Sequence, residues 1–218
     1  IDFPRYQYIR YRDAARWKMM TDLADALRTL PRLRLPKIRS TGFWVSQETL
    51  ASQGPRCKEN AMYAAYVLLG ETLGAPLRYV SDWGVARRGA AAFKGLAVLH
   101  VGPAPFVPAG VREQVADWVK GGGVLTLVDE ETFTLQIGAE ALGSWKDGLG
   151  VSGPGRKTTF GSEWPLGKGR ILQLAENPWV MGAWGRVDAV SRMRELQVST
   201  GGGVDEPHWR FRIPLAGR

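Results

Sequence analysis

The sequence predicts an α/β fold, a doubly wound and mainly parallel sheet with helices on both faces, and three observations carry that expectation. Leu77 to Val80, Leu96 to Val101 and Val124 to Val128 are nearly unbroken apolar runs, as strands require when both of their faces are covered. Amphipathic helical stripes separate them: Met62, Ala65, Leu69 and Leu73 before the first run, then Val111, Val115, Trp118 and Val119 before the last, each spaced by three or four. Punctuation falls between these elements, with Pro103, Pro105 and Pro108 after the middle strand and Gly121, Gly122 and Gly123 closing a helix as a glycine cap does.

In chain order, Trp17, Met20, Ala24 and Leu27 define a helix from about Asp13 to Leu30. Pro31 and Pro36 stop it by removing donors and crowding the preceding turn. Residues 1–37 therefore read as a connector helix from a preceding domain, residues 38–200 as the α/β domain and residues 201–218 as an exit segment to a following one. Phe43, Trp44 and Val45 begin the sheet, and a turn-rich stretch through Gly54 and Pro55 follows. After Asp129 the spacing predicts a helix over Glu131 to Leu142, then a glycine-rich stretch from Gly148 to Gly155. Lys157 to Glu163 and Arg170 to Ala175 flank Gly167-Lys168-Gly169 and read as a C-terminal hairpin or added edge strands. Val187, Val190, Met193 and Leu196 give a last helix, and Trp209 to Ile213 a strand leading out.

The chain has 218 residues, 44% of them hydrophobic, enough for one core. Its longest apolar run, Ala61 to Gly70, is about half the roughly 20 residues a membrane span needs, so no membrane partner is expected. Cys57 is the single cysteine, which excludes an intrachain disulfide and a multi-thiolate zinc site. That suits a reducing compartment, and the cytoplasm is slightly favoured, but secreted bacterial enzymes without cysteines fit too. The opening at Ile1, with Arg5, Tyr6, Tyr8, Arg10, Tyr11 and Arg12 behind it, does not follow a signal-peptide pattern and reads as a cut within a longer chain. The net charge is +8, much of it between Arg5 and Arg39, which would draw a polyanion. These arginines alternate with apolar residues at helical spacing, however, and no nucleic-acid motif accompanies them. They read as a solvated face or a contact to a neighbouring domain, so nucleic acid is not the expected partner.

Ligands of open parallel sheets gather outside the carboxyl ends of the strands. Ser46 and Glu48 follow the first strand here, Asp82 and Trp83 the second, His100 ends the third, and Asp129 and Glu130 follow the fourth. Converging carboxylates can serve as general acid and base or hold a hard cation; acidic residues at such places also favour helix starts. Cys57, in Pro55-Arg56-Cys57-Lys58, lacks a strained elbow and a nearby base and reads as a passive small residue. His100 reads as a hydrogen-bonded core or strand-end residue, and neither it nor His208 has a metal-binding spacing. Gly161 to Gly169 fails as a P-loop, because Gly169 stands where serine or threonine would bind magnesium. Gly153-Pro154-Gly155 lacks the third glycine of a dinucleotide fingerprint. No metal and no cofactor are expected. Of the nine tryptophans, Trp44, Trp83, Trp145, Trp164, Trp179 and Trp184 fall in or beside loops and read as core or interface rather than sugar platforms.

The run of parts resembles a known family. The strand Thr41 to Ser46, the helix with Glu59-Asn60-Ala61-Met62-Tyr63, the strand Leu77 to Ser81, Lys94-Gly95-Leu96-Ala97-Val98-Leu99, and Trp118-Val119-Lys120-Gly121-Gly122-Gly123-Val124-Leu125 together resemble the class I glutamine-amidotransferase-like fold, a flavodoxin-like architecture. The likeness is closer to the β-galactosidase trimerisation domain, which follows the catalytic barrel in β-galactosidase-type glycoside hydrolases. It covers about residues 38 to 130, and Gly167-Lys168-Gly169-Arg170-Ile171-Leu172 matches the family's edge strand. The amidotransferase cysteine elbow is replaced by Gly102-Pro103-Ala104-Pro105, and no histidine lies between His100 and His208.

The resemblance thus implies a non-catalytic accessory and oligomerisation domain, packed on a catalytic barrel of the same parent protein and contributing to a homo-oligomer, with carbohydrate as a further partner. Two other readings compete. One is a stand-alone hydrolase or transferase using Asp129 to Glu131 with Cys57 or His100; the other is a polyanion-binding module.

Overall fold

The computed structural model describes residues 14–29, 40–53, 59–138, 141–180 and 187–204, and the chain divides into two compact units, Ile1–Lys37 and Ile38–Arg218. In the first unit, helix α1 spans Ala14–Thr29. Ion pairs Lys18–Asp22 and Arg28–Asp25 lie along its surface, where such pairs add little. Trp17, Met19 and Leu23 on this helix are exposed. The side chains of Met20 and Leu27, the other large members of the predicted stripe, lie outside the described ones, as do Cys57, His208 and the strand expected at Trp209.

The second unit is an α/β fold built on one mixed, mostly parallel sheet of seven strands in the order β2-β1-β3-β4-β7-β6-β5. Strands β1 (Ser40–Val45), β2 (Leu77–Ser81), β3 (Leu96–His100), β4 (Val124–Leu127) and β7 (Gly169–Leu174) run parallel. Strands β6 (Gly161–Leu166) and β5 (Arg156–Thr158) add antiparallel at one edge. The parallel part has the flavodoxin-like order, with a topological switch between β1 and β3.

Successive residues of a strand face opposite sides of a sheet, and the sheet feeds two cores. Trp44, Leu99, Leu125, Leu127 and Ile171 enter one apolar cluster; Phe43, Leu172 and Leu174 enter another. Helix α4 (Asp82–Arg88), its 3-10 extension Gly89–Phe93, α5 (Val111–Lys120) and the short α6 (Trp145–Leu149) cover the first cluster through Val85, Phe93, Val111, Val115, Val119, Trp145 and Leu149. The second is covered by α3 (Glu59–Ala65), which widens into a π-helix over Tyr66–Thr72, and by α7 (Val187–Thr200). Ala65, Leu69 and Leu73 are buried there.

The two glycine clusters meet in space. Lys168 N–H donates to Lys120 O (2.9 Å) and Arg170 N–H to Gly123 O (3.3 Å). A Cβ on Gly169 would lie 2.2 Å from both Val119 O and Gly123 O, and one on Gly123 would lie 2.4 Å from the Trp118 indole. The Trp-Val-Lys-Gly-Gly-Gly and Gly-Lys-Gly runs are therefore the two halves of one close contact, which brings β7 alongside β4.

One sequence expectation is corrected and two features are added. Residues 131–138 form turns rather than a helix, because their backbone pairs with the proline-bearing loop after β3: Phe133 N–H donates to Ala104 O, Leu135 N–H to Pro105 O and Val107 N–H to Leu135 O, each at 2.9 Å. Phe133 also takes a positive φ of 59°, which no helix accommodates. Arg170 to Ala175 is more than half of an edge hairpin, since β7 is itself the fifth parallel strand. Two helices had no stripe long enough to announce them: α4 and α2 (Gln47–Gln53).

Candidate functional site

The strand-end crevice begins at β1. Ser46 caps α2 by accepting the Thr49 N–H (3.2 Å), and its own hydroxyl donates to Phe106 O at 2.8 Å. Thr49 Oγ1 lies 2.9 Å from Ser46 Oγ and accepts the Phe106 N–H at 3.1 Å. The loop after β3 is thereby laced onto the end of β1 at the topological switch, the place where this architecture holds ligands. The Ser46 hydroxyl proton is committed to the Phe106 carbonyl.

Asp82, fully buried at the end of β2, accepts three backbone N–H groups: Gln47 (2.9 Å) and Glu48 (3.1 Å) at the start of α2, and Trp83 (2.7 Å) beside it. With Ser46 Oγ taking the Thr49 amide, the first three N–H groups of α2, which have no partner within the helix, are all satisfied. A carboxylate so saturated is a structural cap. Glu48 itself is half-buried and Trp83 half-exposed.

His100 belongs to the other face. It is fully buried, shares a 2.8 Å hydrogen bond through Nδ1 with Thr126, and packs against Trp179 with ring centres 5.4 Å apart. Burial lowers its pKa from 6.5 to about 4, and the Gln197 side chain offsets only part of that. The folded ring is therefore neutral where the unfolded one takes up a proton. The stabilisation from keeping it neutral is full above pH 6.5 and is lost as pH falls toward 4, by up to roughly 3 kcal/mol. Urea unfolding at pH 7.5 and pH 4.5 tests this: wild type is expected to lose roughly 2 kcal/mol more than His100→Gln over that interval, whereas equal losses contradict a buried neutral imidazole.

Asp129 and Glu130 stand at the end of β4. Asp129 accepts the Thr132 hydroxyl at 2.8 Å, and Glu130 accepts Gln173 Nε2 at 2.9 Å with Lys146 Nζ 3.9 Å away. Lys146 in turn lies over the rings of Trp145 and Trp164. The candidate residues thus fall into three separate groups: Ser46, Glu48, Asp82 and Trp83 around the start of α2; His100 in the core with Thr126; Asp129 and Glu130 at the far tip. No three His, Cys, Asp or Glu side chains among the described residues converge as a metal site. No described helix is long and apolar enough to cross a membrane.

Sequence reading missed Thr49, Thr126, Gln197 and Lys146. Thr49 had a signal, since Ser46 three residues before it marks a helix cap; Gln197 had none, because only the fold brings α7 over β3. Trp44, Trp145, Trp164 and Trp179 are all buried, as the core reading of the tryptophans expects.

No family model matches the sequence, and no curated protein matches it. Seven chains of solved structures match. One is a cold-adapted β-galactosidase from Rahnella sp. R3, at 14% identity and a TM-score of 0.43, with the match covering 73% of this chain and 32% of that one. The chain therefore spans about a third of that galactosidase.

Proposed function

We propose that this chain is a non-catalytic accessory and oligomerisation domain of a multidomain, β-galactosidase-type glycoside hydrolase, packing against a catalytic barrel. The sequence resemblance over residues 38 to 130 suggests the role. The observation that carries it is the state of the strand tips: Asp82, the fully buried acid among the described tip residues, spends its oxygens on three backbone N–H groups, and the Phe106 loop of the chain itself is laced across the switch point. A scaffold kept for packing retains such bonds, whereas a catalytic tip needs its acid and nucleophile free to meet a substrate.

Two outcomes test the role. The purified chain is expected to release no nitrophenol from a panel of aryl glycosides, and the reading frame that encodes Ile1 is expected also to encode a barrel with a pair of strand-end carboxylates, as retaining glycosidases use. Turnover by the chain alone that disappears in Glu130→Gln or Glu48→Gln overturns the proposal.

A further inference from the structure

Among the tryptophans described in the second unit, Trp83 stands out as exposed, at 51%. It opens onto a concavity of about 390 Å³ at the carboxyl end of β2, lined also by Gln47, Ser81, Gly84, Arg87 and Arg88. Trp83 and Arg87 are one turn apart on α4 and share a face. Arg88 is held in place: its Nε donates to Gly84 O at 3.3 Å, and it lies so close to the helix that a Cβ on Gly84 would come within 3.2 Å of its Nη2 and 2.7 Å of Ser81 Oγ.

The concavity is lined by two arginines and by no acidic side chain among the described residues. No carboxylate pairs with Arg87 or Arg88 among the described residues. The adjacent acid, Asp82, is buried and turned onto backbone amides. A third guanidinium, Arg78, feels the charge of Arg88 while donating to Ala92 O and Lys94 O.

We infer that this concavity binds a sugar carrying an anionic group, a carboxylate or a phosphate or sulfate ester. The apolar face of a pyranose stacks on an indole, a planar anion takes paired guanidinium N–H donors, and the Gln47 amide offers both donor and acceptor to a hydroxyl. A single indole and two arginines within one helix turn fit one or two sugar rings. Single-stranded nucleic acid would call for successive stacking platforms along a basic groove. The site does not depend on the accessory role, since a chain with no barrel partner presents it equally.

Ligand-observed NMR and calorimetry on the full chain test it, with glucuronate, glucose 6-phosphate, neutral glucose, inorganic phosphate and a short oligothymidine as probes. Either anionic sugar is expected to bind at least about tenfold tighter than both glucose and phosphate, and Trp83→Ala and Arg87→Ala are each expected to weaken it about tenfold with an unchanged circular dichroism spectrum. Which of the two binds tighter identifies the preferred anion. Failure of both anionic sugars overturns the inference. So does binding no tighter than phosphate and indifferent to Trp83→Ala, which marks an anion patch alone, or oligothymidine binding tighter than either sugar with a steep salt dependence.

Discussion

Replacing Asp82 by alanine is expected to lower stability by about 3–5 kcal/mol, because three backbone donors lose a charged acceptor at once. Two of them, the amides of Gln47 and Glu48, start α2. Without them the Ser46–Thr49–Phe106 lacing loses the helix that presents it. Asp82→Asn keeps one acceptor oxygen in place and is expected to cost about 1–2 kcal/mol. Equilibrium denaturation separates the two variants. A catalytic Asp82 would show the opposite signature, with a stability near or above wild type after substitution, as strained functional groups do.

Arg112 supplies the second large effect. Its side chain is nearly buried, and its guanidinium donates to Leu142 O at 2.8 Å and to Ser144 O, tying the segment before α6 to α5. Burial lowers its pKa, while Glu113 and Asp147 pull it back up. Arg112→Ala leaves two carbonyls without their charged donor and is expected to cost about 3–4 kcal/mol.

Gly148 shares this fate. A Cβ there would sit 1.6 Å from Arg112 Nη2, so Gly148→Ala is expected to eject the guanidinium and cost nearly as much. In the Arg112→Ala background the same change should be neutral or stabilise by up to about 1 kcal/mol, since alanine is the better helix residue. A double-mutant cycle by urea denaturation measures that reversal; additive losses would mean that the glycine serves something other than the arginine.

The sequence disclosed the parts of the fold whose signal is apolar and local. β3, the proline-bearing loop, α5 with its glycine stop, and β4 were legible because each buries a continuous or periodic apolar face. Helices α2 and α4 were not, since each is only 7 residues long and carries no apolar stripe, and the cap signals at Ser46 and Ser81 stood without one. The segment after Asp129 misled because its composition suits a helix, while its backbone partners lie some 30 residues away, in the loop that follows β3. β7 was visible as half of a hairpin, and its parallel pairing with β4 has no local signature. At the candidate site, the residue types at the strand tips were legible and their partners were not. Whether a carboxylate is free or saturated depends on amides that the sequence does not place.

Native-state hydrogen exchange at four backbone amides tests the central claim most directly. Gln47, Glu48 and Trp83 donate to Asp82, and Phe106 donates to Thr49, so all four are expected to open only with free energies close to those of the β3 and β4 core amides. If these four exchange freely while the core strands stay protected, the strand tips form an open crevice, and the scaffold account fails.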